Sequence, residues 1–193
     1  MDGLIHRFRK HVALCPDAIA VEDDSIVLTF QQLDQSSNLL AHEIRSRAHS
    51  GNIAICIPRS AFLLVSVLAI VKAGFAYVPL DPSAPLARLD DQVSQTDARL
   101  LLVASGLFVD QPNFVLGRAL TLDVVPIVTR ESVSNDEHLV PSDVKVDNTA
   151  LLAVLFTSGT TGRPKGVLIE HVSTISAILT CVQAPYTHMR MSS

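Results

Sequence analysis

Charge is what this sequence has least of: Asp, Glu, Lys and Arg make up only 18% of its 193 positions, where about a quarter is usual. There is no Lys- or Arg-rich block and the formal net charge is −4, which excludes the electrostatic footprint of a general nucleic-acid binder. No Asn-x-Ser/Thr glycosylation site occurs, and the start Met1-Asp2-Gly3-Leu4 has an early acid and no apolar run, unlike a secretory signal. Cysteine is scarce. Cys15, Cys56 and Cys181 are odd in number, far apart and without CxxC spacing, which argues against a disulfide framework and reads as thiols in a reducing, cytoplasmic compartment. The apolar run Ala61–Val71 is broken by Ser66 and ended by Lys72 and Gly74. It falls short of the roughly 20 residues a bilayer span needs, so it predicts a buried helix and no membrane association.

Several catalytic patterns are also missing. His42-Glu43 opens a zincin-like motif, but Ser46 stands where the second His is required. A Gly-x-Ser-x-Gly nucleophile elbow around Ser158 would need Gly where Phe156 stands. The seven histidines form no ligand cluster, so no metal site is expected among protein side chains. Asp90 and Asp91 are neighbours on an expected helix and diverge from each other, which argues against a paired-carboxylate site.

What is present is a dense alternation of short apolar elements. Hydrophobic residues reach 48%, and a chain of this length buries roughly two thirds of its unfolded surface on folding, so no staple is needed. The length suits one domain or a large piece of a bigger one. Leu4–Leu14 has helical periodicity and stops at Cys15-Pro16. Ile19–Val21 and Ile26–Leu28 flank the turn-forming Glu22–Ser25, a hairpin pattern. Thr29 and Gln32 make a capping-box pattern that opens a helix with Leu33, Leu40 and Ile44 on its apolar face. A strand at Asn52–Ile57, a helix at Ala61–Ala73, a strand at Ala76–Val78, a helix at Pro85–Thr96 and a strand at Leu100–Val103 follow. This alternation predicts an α/β fold, a layered, mostly parallel sheet with helices on both faces and right-handed crossovers. Thr129–Asn148 is polar and contains Pro141, as in a long surface connection.

Leu151–Phe156 is continuously apolar, as in a fully buried strand. It runs directly into Thr157-Ser158-Gly159-Thr160-Thr161-Gly162-Arg163-Pro164-Lys165-Gly166, after which the apolar Val167–Ile169 resumes in strand-like fashion. Each residue type in this loop suits a polyphosphate. Gly159, Gly162 and Gly166 allow positive φ and close backbone approach, and N–H groups exposed in such a loop form an anion-binding concavity. The hydroxyls of Thr157, Ser158, Thr160 and Thr161 can donate to phosphate oxygens. Lys165 adds a mobile positive charge, and Pro164 biases Arg163 away from helical geometry. The pattern is not a Walker loop, which needs Gly-x₄-Gly-Lys-Ser/Thr and would put Gly where Pro164 stands. ATP is the expected ligand.

With these residues the sequence resembles the adenylate-forming ligases: acyl-CoA synthetases, luciferases and the adenylation domains of nonribosomal peptide synthetases. Residues 157–167 are similar to their signature phosphate loop almost letter for letter. Leu28–Leu33 resembles the segment that opens their first long helix, and Pro16–Val21 the stretch before it. Val71–Pro82, with Pro85 and Arg88 beyond, resembles the second core motif of peptide-synthetase adenylation domains and favours that branch.

The resemblance implies a two-step reaction. ATP and a small carboxylate, by this branch an amino acid, give an acyl-adenylate and pyrophosphate; a thiol then takes the acyl group. It implies Mg²⁺ with the ATP, and phosphopantetheine on a carrier domain, or coenzyme A, as acceptor. Thr157, Ser158, Gly159, Thr160, Thr161, Gly162, Lys165 and Gly166 would bind the β- and γ-phosphates, with Lys165 steadying the departing pyrophosphate. The resemblance covers residues 1–171, a partial AMP-binding domain, and leaves 172–193 as a divergent tail. After Val172 there is no counterpart to the family's substrate aspartate, adenine and ribose segments, hinge or lid lysine. The expectation is therefore a truncated fragment of a secondary-metabolism ligase, inactive alone, with exposed apolar surface. The alternatives are an acyl-CoA synthetase fragment and a non-enzymatic module that binds nucleotide or a partner.

Overall fold

The computed structural model describes residues 3–104, 119–129, 149–157 and 164–173. The chain opens with helix α1 (Leu4–Leu14) and a hairpin of β1 (Ile19–Glu22) and β2 (Val27–Thr29). The hairpin is antiparallel, pairing Val21 with Leu28 and Glu22 with Val27. Its turn is organised by Asp23, whose Oδ1 accepts from the N–H groups of Ser25 at 2.8 Å and Ile26 at 2.9 Å. Helix α2 (Phe30–Arg47) starts where the capping pattern places it. Thr29 Oγ1 accepts from Gln32 N at 3.2 Å, and Gln32 Oε1 accepts from Thr29 N at 2.9 Å. Leu33, Leu40 and Ile44 are all buried, as the periodicity requires.

The remaining elements alternate: β3 (Asn52–Cys56), α3 (Ala61–Ala73), β4 (Tyr77–Pro79), α4 (Leu86–Gln95), β5 (Ala98–Val103), β6 (Leu120–Asp123), α5 (Val125–Val128), β7 (Leu151–Thr157) and β8 (Lys165–Glu170). Six of these strands form one sheet in the order β6-β5-β3-β4-β7-β8. Every neighbouring pair is parallel except β7 with β8. The mostly parallel sheet expected from the alternation is therefore what forms.

Both faces of that sheet are covered, for a reason visible in the period of the central strands. Successive strand residues point to opposite faces. Ile53 and Ile55 of β3 and Leu100 and Leu102 of β5 join a core with α2 and α3. Ala54, Cys56, Leu101 and Val103 join a second core with Leu89 and Val93 of α4. Strands buried on both sides read as unbroken apolar runs, which is why β3 and β5 show no polar alternation.

Two features depart from the sequence reading. Strand β6 and the short α5 were not anticipated; β6 is an edge strand with Leu120 and Thr121 exposed, so its period is weak. Lys72, whose charge ends the apolar run Ala61–Val71, lies inside the expected helix but is buried there, against the usual exposure of lysine. Among the described residues, no helix is long and apolar enough to cross a membrane. Most of the expected Thr129–Asn148 connection and Cys181 lie outside the described residues.

Asp23 ties the hairpin to the sheet domain as well. Its Oδ2 accepts from Ala61 N, in the first turn of α3, at 2.6 Å. Partial burial pushes its carboxyl up, but the N–H donors of Ala61, Ser25 and Ile26 outweigh it and hold it below the ordinary 3.8. A depressed folded value stabilises the fold above that pH and is lost as pH falls through the folded value. Asp23→Ala is expected to lower stability by about 1–2 kcal/mol at neutral pH. In urea melts, the gap from the parent protein should close once the carboxylate is protonated.

Candidate functional site: the β7–β8 hairpin

The expected phosphate loop joins β7 to β8, and the sheet decides where its two ends stand. β7 runs parallel to β4, with Tyr77 opposite Ala153. Its last residue, Thr157, therefore lies at the carboxyl edge of the sheet, the edge where β3, β4, β5 and β6 also end. Because β8 is antiparallel, its first residue, Lys165, returns to that same edge, in register with Thr157. The Thr157 hydroxyl lies 3.5 Å from the Lys165 carbonyl oxygen, and both residues are exposed. The carboxyl edge is where open α/β sheets receive ligands.

Of the sequence-predicted site residues, the structure describes Thr157, Lys165 and Gly166, and brings them together in a single ladder. Ser158, Gly159, Thr160, Thr161 and Gly162 lie outside the described residues. Two expectations need correction. Gly166 does not serve a positive φ: it is in extended β8, and the glycines with positive φ among the described residues are Gly51 and Gly74. What Gly166 needs is closeness, since a Cβ there would meet Val154 Cγ1 at 3.0 Å and Phe156 Cε1 at 3.7 Å. The second correction concerns burial. The flanking strands are not both in the core: β7 is buried only at Leu152–Val154, and β8 is an exposed edge with Val167 47% and Leu168 69% accessible. An apolar run by itself cannot distinguish a central strand from an exposed edge.

Asp81 stands just beyond β4 on the same edge. Its carboxylate accepts from Ser83 Oγ at 2.7 Å and Ser83 N at 2.9 Å. Those two bonds, with Arg88 nearby, hold its carboxyl below the ordinary carboxylate value. Cys56, at the end of β3, is pushed up to about 11 by burial and by the Asp81 charge. A thiol so disfavoured as thiolate is not a nucleophile near neutral pH.

Glu43 pairs with Arg47 at 3.0 Å across one helical turn, and His42 is exposed. Among the described residues no group of three His, Cys, Asp or Glu could hold a metal ion.

Comparison with known proteins identifies the family. The family model described as "AMP-binding enzyme" matches residues 8–192. The beauvericin nonribosomal cyclodepsipeptide synthetase of Beauveria bassiana is 38% identical over 172 residues, 88% of this chain but only 5% of that synthetase. The N-terminal subdomain of Klebsiella oxytoca NpsA, solved with 3-hydroxybenzoyl-AMSN, is 26% identical with a TM-score of 0.68, over 89% of this chain and 41% of that one. The nonribosomal peptide synthetase FmoA3 shares the fold with a TM-score of 0.79 at 21% identity, over 94% of this chain and 20% of that one. The chain thus spans a small part of its curated relatives. It belongs to the AMP-binding, adenylate-forming enzyme family and is like the N-terminal part of a peptide-synthetase adenylation domain.

Proposed function

We propose that this chain is the phosphate-binding front of an enzyme that activates an amino acid with ATP. The observation that carries the reading is the return of β8 beside β7, with Thr157 and Lys165 on the carboxyl edge of the parallel sheet. In this reading the loop from Thr157 to Gly166 cradles the β- and γ-phosphates with backbone N–H groups and hydroxyls. The carboxylate substrate attacks the α-phosphorus, forming the acyl-adenylate, and the α–β phosphoanhydride bond breaks to release pyrophosphate. Lys165, exposed and near the loop base, offsets the charge gathering on that leaving group. The loop's contribution is positioning and electrostatic stabilisation. The acyl group then passes to a thiol, by this reading phosphopantetheine on a carrier domain.

The adenine, ribose and substrate pockets would belong to polypeptide beyond this segment, so the 193-residue chain alone is expected to bind ATP weakly and to catalyse no exchange. Lys165→Ala should weaken ATP binding about tenfold, the effect of losing a contact worth on the order of 1.4 kcal/mol. Titration calorimetry with ATP checks this. Unchanged affinity in the variant would remove Lys165 from the site. Amino-acid-dependent ATP–pyrophosphate exchange by this chain alone would show that the catalytic site is complete without further polypeptide.

A further inference from the structure

Helix α1 is attached to the rest of the molecule in an unusual way. None of its residues is fully buried. It has no side-chain N-cap and no acid in its first turn, yet it carries His6, Arg7, Arg9, Lys10 and His11. His6 and Arg7 near the N-terminus oppose the helix dipole while His11 in the last turn favours it, and a helix of 11 residues is marginal in isolation, so α1 depends on its docking.

The docking seam is aromatic. Phe8 lies 6.4 Å from the Phe30 ring and tilted to it, and His11 meets Phe30 edge-on at 4.5 Å. Beneath Phe8 lies the buried ammonium of Lys72, 5.2 Å from the ring centroid. Among the described residues that ammonium is gathered by α2: Asp34 Oδ1 at 2.7 Å, Ser37 Oγ at 2.7 Å, Asn38 Oδ1 at 2.8 Å and the Asp34 carbonyl at 3.0 Å. A basic helix is thus laid over a buried cation, an arrangement that point charges oppose. The Phe8 ring interposes the negative face of its quadrupole between them.

We propose that α1 is a separately detachable helix, and that the contact of Phe8 with the Lys72 cation is the latch that keeps it docked. Elements with few buried contacts open at lower free energy than the core, and α1, which has no buried residue, packs the partly buried Ile5 and Phe8 on the body and His11 on Phe30. The charged and titratable groups around Lys72 are Asp34 from α2 and Arg9 from α1, with Tyr77 of β4 packed beside the neighbouring Val71. Burial lowers the Lys72 value to about 8, so the latch charge can be removed by pH as well as by mutation.

Hydrogen exchange, corrected for intrinsic rates, tests this by comparing the amides of residues 4–14 with those of β5. In the parent protein the α1 amides should exchange faster than β5. Phe8→Leu should lower α1 protection about tenfold while β5 stays unchanged, and Phe8→Tyr, which keeps the ring face, should restore it. In Lys72→Met, Phe8→Leu should have little further effect, and raising the pH above about 8 should narrow the gap between the parent and Phe8→Leu. Equal losses in the Leu and Tyr variants would overturn the latch in favour of simple fit. So would an undiminished Phe8→Leu effect in Lys72→Met. Exchange of α1 in step with β5 would overturn its being a separate unit.

Discussion

Lys72→Ala is expected to destabilise the protein by about 3–5 kcal/mol at neutral pH, measured by chemical denaturation, the loss found when one partner of a buried ion pair is removed. The Lys72 side chain is inaccessible and Asp34 is 21% accessible, so the pair sits at the inner end of the α2–α3 contact. Alanine would leave the Asp34 carboxylate and the Ser37 and Asn38 oxygens without the donor they converge on. It would also empty the volume of the stem. Lys72→Met keeps the stem and should lose less.

The pH dependence separates this site from others. Burial, partly opposed by Asp34, lowers the Lys72 value from 10.5 to about 8. Between those values the unfolded chain holds the proton and the folded chain does not, so the contribution of Lys72 to stability rises with pH across that window. The full gain is roughly 3 kcal/mol. Cys56, raised from 9.0 to about 11, acts in the opposite sense above pH 9, because there the unfolded thiol ionises first. The difference between the parent and Lys72→Met therefore isolates the lysine, and it should shift in favour of the parent as pH rises from about 8. A flat difference would mean that the ammonium is as well solvated folded as unfolded.

Gly51→Ala is expected to cost about 2–4 kcal/mol, from two independent penalties. Gly51 has a φ of 90°, in the region that disfavours any side chain by about 1–2 kcal/mol. A Cβ at this position would also lie 2.7 Å from the Asp97 carbonyl oxygen and 2.8 Å from Arg99 Cγ. The arginine stem can move, but the backbone carbonyl can do so only by shifting the start of β5, and such overpacking costs about 1–3 kcal/mol. A loss of less than 1 kcal/mol in urea melts would mean that the turn into β3 relaxes freely.

Much of the architecture could be read from local pattern because local physics produces it. The Thr29–Gln32 capping box sets the start of α2 through two hydrogen bonds made within one turn, and Pro16 bounds α1 from outside. Ile53–Cys56 and Leu100–Val103 are apolar throughout because both faces of these strands are covered. β6 escaped notice because a four-residue edge strand with one buried side chain has almost no period. The proposed phosphate loop is a pattern of composition, whereas the presence of Thr157 and Lys165 at a common edge was not legible in the sequence.

The sequence by itself determined the element types, the order of alternation and the residues suited to a polyphosphate. These depend on side-chain period, caps and backbone freedom, all settled within about a dozen residues. The tertiary structure decided what depends on distant partners. It placed β7 beside β4 rather than β6, put β8 on an exposed edge, and changed Gly166 from a flexible joint into a packing requirement. It also made Lys72, the charge that ends the apolar run of α3, a buried cation, because the oxygens that satisfy it come from α2, more than thirty positions earlier in the chain. No local pattern could reveal that, since the energy of burying a charge is set by what surrounds it after folding.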